Sequence, residues 1–130
     1  MKIAGIDHVS INVKDMAASA AFYEGVMGFR RRETVPMDGG FAITYFEIPG
    51  GGRMEMFDYG GKNRDEVRGD SDAGLRHLAF QVDDVKTAET MLREKGVTIV
   101  LPATDLPSLG ARVLLFLDPN GVTLEFCQAL

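Results

Sequence analysis

The chain carries one phrase twice. Residues 5–16 read GIDHVSINVKDM and residues 74–85 read GLRHLAFQVDDV, so Gly5 falls on Gly74, His8 on His77, Val13 on Val82 and Asp15 on Asp84, at a constant offset of 69. The only two histidines of the chain occupy the same place in that phrase. A second echo closes each half: RMEMF ends at Phe57 and TLEF at Phe126, which sets Glu55 against Glu125 with one residue of drift. An internal duplication limits the fold strongly, because each copy is one supersecondary unit repeated with the same apolar face to bury.

Within each copy the hydrophobic period changes in the same order. Residues 6–13 alternate, with Val9, Ile11 and Val13 on one face and His8, Ser10 and Asn12 on the other, which predicts a strand. Asp15 is placed to cap a helix over 17–27, with Phe22 and Val26 on one stripe and Gly28 as its stop. Strands over 29–35, 41–48 and 54–58 follow, separated by turns at 37–40 and 49–53. The second copy predicts a strand over 75–82, a helix from 85 to about 95 capped by Asp84 and ended by Gly96, and a strand over 97–101. A loop over 102–111, a strand over 112–117, the DPNG turn at 118–121 and a strand over 122–127 complete it.

At 130 residues the expectation is one domain spanning 1–130, built from modules 4–58 and 74–128. The stretch 59–73, YGGKNRDEVRGDSDA, has no periodicity and is expected to link them. Its cations Lys62, Arg64 and Arg68 leave two readings open, a solvated connection or a pocket rim.

The same alternation decides where four polar residues point. His8 and His77 stand opposite the apolar faces of their strands, and Glu55 and Glu125 stand opposite Met54/Met56 and Leu124/Phe126. All four therefore face the polar side of a sheet, and two modules side by side would let them converge. Taken singly, a strand histidine or a glutamate near a turn is ordinary structure. Duplicated filler, however, has no reason to pair His with His and Glu with Glu. Two imidazoles with two carboxylates suit a divalent transition ion.

Composition enters as exclusion. Net charge is −5 and the one basic run is Arg30-Arg31-Arg32, so the broad basic footprint of a nucleic-acid binder is missing. No run reaches membrane-spanning length and the N-terminal residues show no long apolar core of a signal peptide. A single cysteine, Cys127, allows no internal disulfide. The expectation is a soluble cytoplasmic protein acting on a small molecule, with no nucleic-acid or membrane partner.

The phrases HVSINVKD, FYEGVMGF, GLRHLAFQVDDV and DPNGVTLEF resemble the vicinal oxygen chelate superfamily, whose best-known metal enzyme is glyoxalase I, and the resemblance covers nearly the whole chain. It implies an α+β fold of two βαβββ modules forming a cup-shaped mixed sheet, and a homodimer. It also implies one divalent metal ion, nickel, cobalt, zinc, manganese or iron, with nickel or zinc favoured. The ligand set carries over to His8, Glu55, His77 and Glu125, with Glu125 the better candidate than Glu55 for the catalytic base. Asn12, Phe57, Arg76 and Thr123 are the expected substrate contacts.

Four protein ligands on an octahedral ion leave two adjacent positions for a substrate with vicinal oxygens. Such an ion acts as a Lewis acid that stabilises an enediolate, which favours a lyase or isomerase that moves a proton beside a carbonyl. Bacterial glyoxalase I carries an arginine for the glutathione carboxylate where this chain has Asn12, and tends to carry an asparagine near Phe57-Asp58-Tyr59-Gly60. Both departures speak against glutathione. An extradiol-type dioxygenase, an acyl-CoA epimerase, a fosfomycin-type thiol transferase and a metal-free drug-binding resistance protein remain as alternatives.

Overall fold

Alternating side chains make a strand only where a neighbour completes the backbone hydrogen bonds, and the two copies find the same neighbours. The computed structural model describes residues 1–64, 69 and 71–130, and its chain divides into two compact units, Met1–Arg64 and Asp65–Leu130. The first holds β1 (His8–Val13), α1 (Met16–Gly25), β2 (Arg30–Met37), β3 (Phe41–Glu47) and β4 (Arg53–Asp58). The second holds β5 (Leu78–Gln81), α2 (Val85–Glu94), β6 (Ile99–Leu106), a single 3-10 turn at Pro107–Leu109, β7 (Ala111–Leu117) and β8 (Thr123–Ala129). The α+β class and the βαβββ order of each copy are as the duplication implies.

The sheet orders correspond strand for strand: β1-β4-β3-β2 and β5-β8-β7-β6. In each, the first strand runs parallel to the last and the remaining pairs are antiparallel. Both aspartate caps form. Asp15 Oδ1 accepts from the amide of Ala18, and Asp84 Oδ1 accepts from those of Lys86 and Thr87.

The inner face of the first sheet buries Val13, Phe46, Met54 and Met56, and α1 contributes Ala20, Phe22 and Tyr23. The Tyr23 ring meets Phe22 edge-on at 5.1 Å and Phe29 at 5.2 Å. The second unit repeats this with Val85 and Leu92 from α2 against Leu114, Phe116, Leu124 and Phe126. The stripe of α1 differs from expectation, since Tyr23 is fully buried while Val26 is half-buried and lies at the C-cap.

Several boundaries differ from the sequence expectation, each through strand pairing. The first strand of each copy starts later, at His8 and Leu78, because register with β4 and β8 begins there; Ile6 and Leu75 are exposed. β2 runs on to Met37, opposite Phe41, so the turn shrinks to residues 38–40. The predicted loop at 102–111 is largely strand. Thr104, Asp105 and Leu106 pair with Val113, Arg112 and Ala111, and the register breaks between Leu101 and Thr104, which accommodates Pro102. Glu89 of α2 fastens this bulge by accepting from the Ala103 amide at 2.8 Å.

In the stretch 59–73, Asn63 donates to the Val13 carbonyl at 2.7 Å, and Tyr59 stacks on Phe41 with centroids 4.9 Å apart. These residues thus belong to the first unit. Lys62 and Arg64 are exposed, while Arg68 lies outside the described residues. Among the described residues no helix is long and apolar enough to cross a membrane.

Leu124 is fully buried beside Glu125. Leu124→Ala is expected to lower unfolding free energy by about 2–5 kcal/mol, the range for a truncated buried leucine. Urea denaturation checks it; a loss under about 1 kcal/mol would show that the site collapses around the deletion.

Candidate functional site

Parallel pairing in each unit brings the two polar positions together. Ser10 is the register partner of Glu55, so His8 lies two residues upstream on the same face. Its Nε2 is 3.3 Å from Glu55 Oε2. The second unit does the same: Ala79 is the partner of Glu125, His77 lies two residues upstream, and its Nε2 is 3.2 Å from Glu125 Oε2. Both carboxylates are mostly buried, with 13% and 14% of the side chain exposed. The sequence expectation that each His shares a face with its Glu is therefore met at the level of atoms within each unit.

The surroundings of the two pairs diverge. His8 Nδ1 meets Asp7 Oδ1 at 2.7 Å, and the same oxygen accepts from Arg53 at 3.1 Å. The hydrogen bond with His8, then the Arg53 guanidinium, hold the Asp7 carboxyl below the usual range. At the repeat-equivalent place the second unit has Arg76, and His77 Nδ1 is buried with no hydrogen-bond partner among the described residues. Such an atom is rare in a protein interior.

Glu55 has two further donors. Ser10 Oγ donates to Oε2 at 2.7 Å, and the Tyr45 hydroxyl also hydrogen-bonds the carboxylate. The Ser10 bond is the main cause that holds Glu55 below the ordinary glutamate range, partly opposed by burial, with Tyr45 adding to it. Tyr45 is correspondingly pushed up, first by its hydrogen bond to Glu55. Ser10 and Tyr45 were not among the expected site residues, because cross-strand register has no local signature in a sequence.

Of the expected substrate contacts, Asn12 and Phe57 are register partners one row beyond Ser10 and Glu55. Phe57 joins a stack with Phe41 and Tyr59, at centroid distances of 5.9 and 6.4 Å. Thr123 is half-buried and two residues before Glu125 on its face, while Arg76 is exposed and precedes β5. Among the described residues no group of three or more His, Cys, Asp or Glu gathers in a form that could hold a metal. Each pair nonetheless offers one imidazole nitrogen and one carboxylate oxygen about a hydrogen bond apart. The donor types of the pairs, imidazole nitrogen with carboxylate oxygen, are those that suit a divalent transition ion.

Residues 5–126 match the Glyoxalase/Bleomycin resistance protein/Dioxygenase superfamily, and the chain belongs to it. It is 33% identical to the uncharacterized protein YwkD of Bacillus subtilis, over 98% of this chain and 99% of that one. It is also 28% identical to the mitochondrial methylmalonyl-CoA epimerase of Bos taurus, over 95% of this chain and 74% of the relative. Among solved structures, the glyoxalase family protein from Enterococcus faecalis superposes with a TM-score of 0.84 at 25% identity, covering 98% of this chain and 99% of that one.

The lowered Glu55 pKa has a pH signature. A carboxyl whose folded pKa lies below its unfolded value adds stability above the unfolded pKa, about 4.3, and loses it as pH falls through the folded value. Ser10→Ala removes the largest cause of the shift. Wild type is therefore expected to exceed Ser10→Ala in stability at pH 7, with the two converging below about pH 4. A constant gap from pH 7 to pH 3 in urea denaturation would contradict this.

Proposed function

We propose that the chain is a metal-dependent isomerase or lyase of glyoxalase I-like type, which moves a proton at the carbon beside a carbonyl. The observation that carries the reading is the duplicated pair: in both units an imidazole Nε2 faces a glutamate Oε2 at 3.2–3.3 Å on a sheet face. His8, Glu55, His77 and Glu125 would hold one divalent ion, nickel or zinc in first place. When bound, such an ion supplies a Lewis acid that polarises a chelated carbonyl and acidifies the neighbouring C–H.

The chain's own residues supply the rest. The imidazoles and Glu55 orient the centre, and Asp7 fixes the ring of His8 through Nδ1. Glu125 takes the proton from the substrate carbon and returns it. A carboxylate held by a cation is a weak base, so Glu125 would act as the base when free of such a contact.

For the substrate, a malonyl-type acyl-CoA thioester is favoured over a glutathione hemithioacetal. Relatives over almost the full chain include the bovine enzyme and an ethylmalonyl-CoA/methylmalonyl-CoA epimerase of Cereibacter sphaeroides. Asn12, uncharged, stands where a glutathione carboxylate would call for an arginine. Epimerisation then requires the planar enolate to turn between abstraction and return, so that Glu125 delivers the proton to the opposite face of the same carbon. The protein is read as cytoplasmic and as a homodimer, whose sedimentation velocity should give twice the 14.2 kDa chain mass at micromolar concentration; a 14.2 kDa species would refute the dimer.

Metal analysis of protein purified without chelator is expected to find about one transition ion per chain, lost in both His8→Ala and His77→Ala. Full retention in both would remove the site. Glu125→Gln should keep metal within a few-fold while deuterium exchange into methylmalonyl-CoA falls by about 10²–10⁴, the scale of general-base catalysis. Normal exchange in Glu125→Gln but not in Glu55→Gln would reverse the two roles.

A further inference from the structure

The two glutamates are equivalent by duplication and by burial, but not by neighbours. Each sits in the middle of a three-residue row across its sheet, because register partners on adjacent strands share a face. The row of Glu55 is Ser10–Glu55–Tyr45, and the row of Glu125 is Ala79–Glu125–Leu115. At the same two positions, one copy has a hydroxyl on each side and the other a methyl and an isobutyl group.

We propose that Ser10 and Tyr45 are positioning residues that pin Glu55 as the fixed carboxylate of the site, while the apolar row leaves Glu125 free to swing. The inference rests on the metal-binding reading above and deepens it. Ser10 Oγ at 2.7 Å and the Tyr45 hydroxyl both bind the Glu55 carboxylate. Rotation of Glu55 out of its row breaks both bonds, and little water is at hand to replace them, since 13% of the side chain is exposed. Glu125 is buried to the same degree, at 14% exposed, so solvent access does not distinguish the pair. Ala79 and Leu115 have no side-chain donor to offer. Among the described residues, rotation of Glu125 therefore gives up only the contact with His77.

The division of labour follows from the donors. A carboxylate held by two hydroxyls keeps its orientation fixed, which is what a structural metal ligand requires. A carboxylate set between apolar side chains keeps its rotamer freedom, which a proton carrier requires. Its step needs no further reagent: the substrate C–H bond breaks, an O–H bond forms on Glu125, the electron pair delocalises onto the substrate carbonyl, and the proton returns.

The test reads Co(II) affinity of the full chain by competition with a chromophoric chelator. Apo-protein melting curves confirm that each variant is folded. Ser10→Ala and Tyr45→Phe should each weaken Co(II) binding about 10-fold, the lower end for loss of a group supporting a metal ligand. Ser10→Thr, which keeps the hydroxyl, should restore affinity to within about 3-fold of wild type, on the argument that the donor and not the packing matters. Glu55→Gln should cost at least about 10-fold, and Glu125→Gln only a few-fold. Unchanged affinity in Ser10→Ala and Tyr45→Phe, a loss that Ser10→Thr does not rescue, or a larger cost for Glu125→Gln than for Glu55→Gln each overturns the pinning. No Co(II) binding by wild type overturns the metal reading itself, and the pinning falls with it.

Discussion

Everything at the site depends on one pairing, the parallel contact of the first strand of each copy with the last. Because side chains alternate, a histidine two residues before the register partner of a glutamate must share its face. The same register buries Met54 and Met56, or Leu124 and Phe126, behind that glutamate. A slip of one residue would turn the carboxylate into the core and the large apolar side chains into solvent. The hydrophobic driving force that selects the fold therefore also selects the His–Glu geometry. Chemistry and stability are set by a single choice of register.

Much of this was legible in the chain. The repeat, the alternation of His8–Val13 and the two aspartate caps are local features, and they appear where they were expected. Face parity also placed Glu55 and Glu125 correctly opposite their apolar neighbours. What the sequence could not display is who sits beside whom across strands. Ser10 and Tyr45 are 35 residues apart and meet only through Glu55, so neither stands out until β1, β4 and β3 are in register. Pro102 misled for a related reason: proline argues against a strand locally, but a bulge beside it lets an outer strand carry on.

Duplication also separates what is kept from what is free to change. The ligand-type residues and helix caps are the same in both copies, while the residues around them have diverged: Asp7 against Arg76, Ser10 against Ala79, Tyr45 against Leu115. Membership of the superfamily places this chain among metal enzymes and resistance proteins alike. The differences between its own halves, more than the shared fold, are where the particular chemistry of this member has been written.

The outer strands β2 and β6 share a feature with a consequence for how the molecule behaves in a crowd. Each lies at the end of its sheet, each carries a proline (Pro36, Pro102), and each has a break in register. β2 is also exposed along its whole length and holds Arg30, Arg31 and Arg32. Proline withholds an amide, a bulge twists the strand, and charge repels a copy, so neither outer strand offers a flat template for another chain. The opposite end of each sheet is a shorter strand, the six-residue β1 or the four-residue β5. A sheet that can grow from one side only cannot propagate as a ribbon. One blocked edge per sheet is enough for that, so the outer strands of this chain oppose fibre growth.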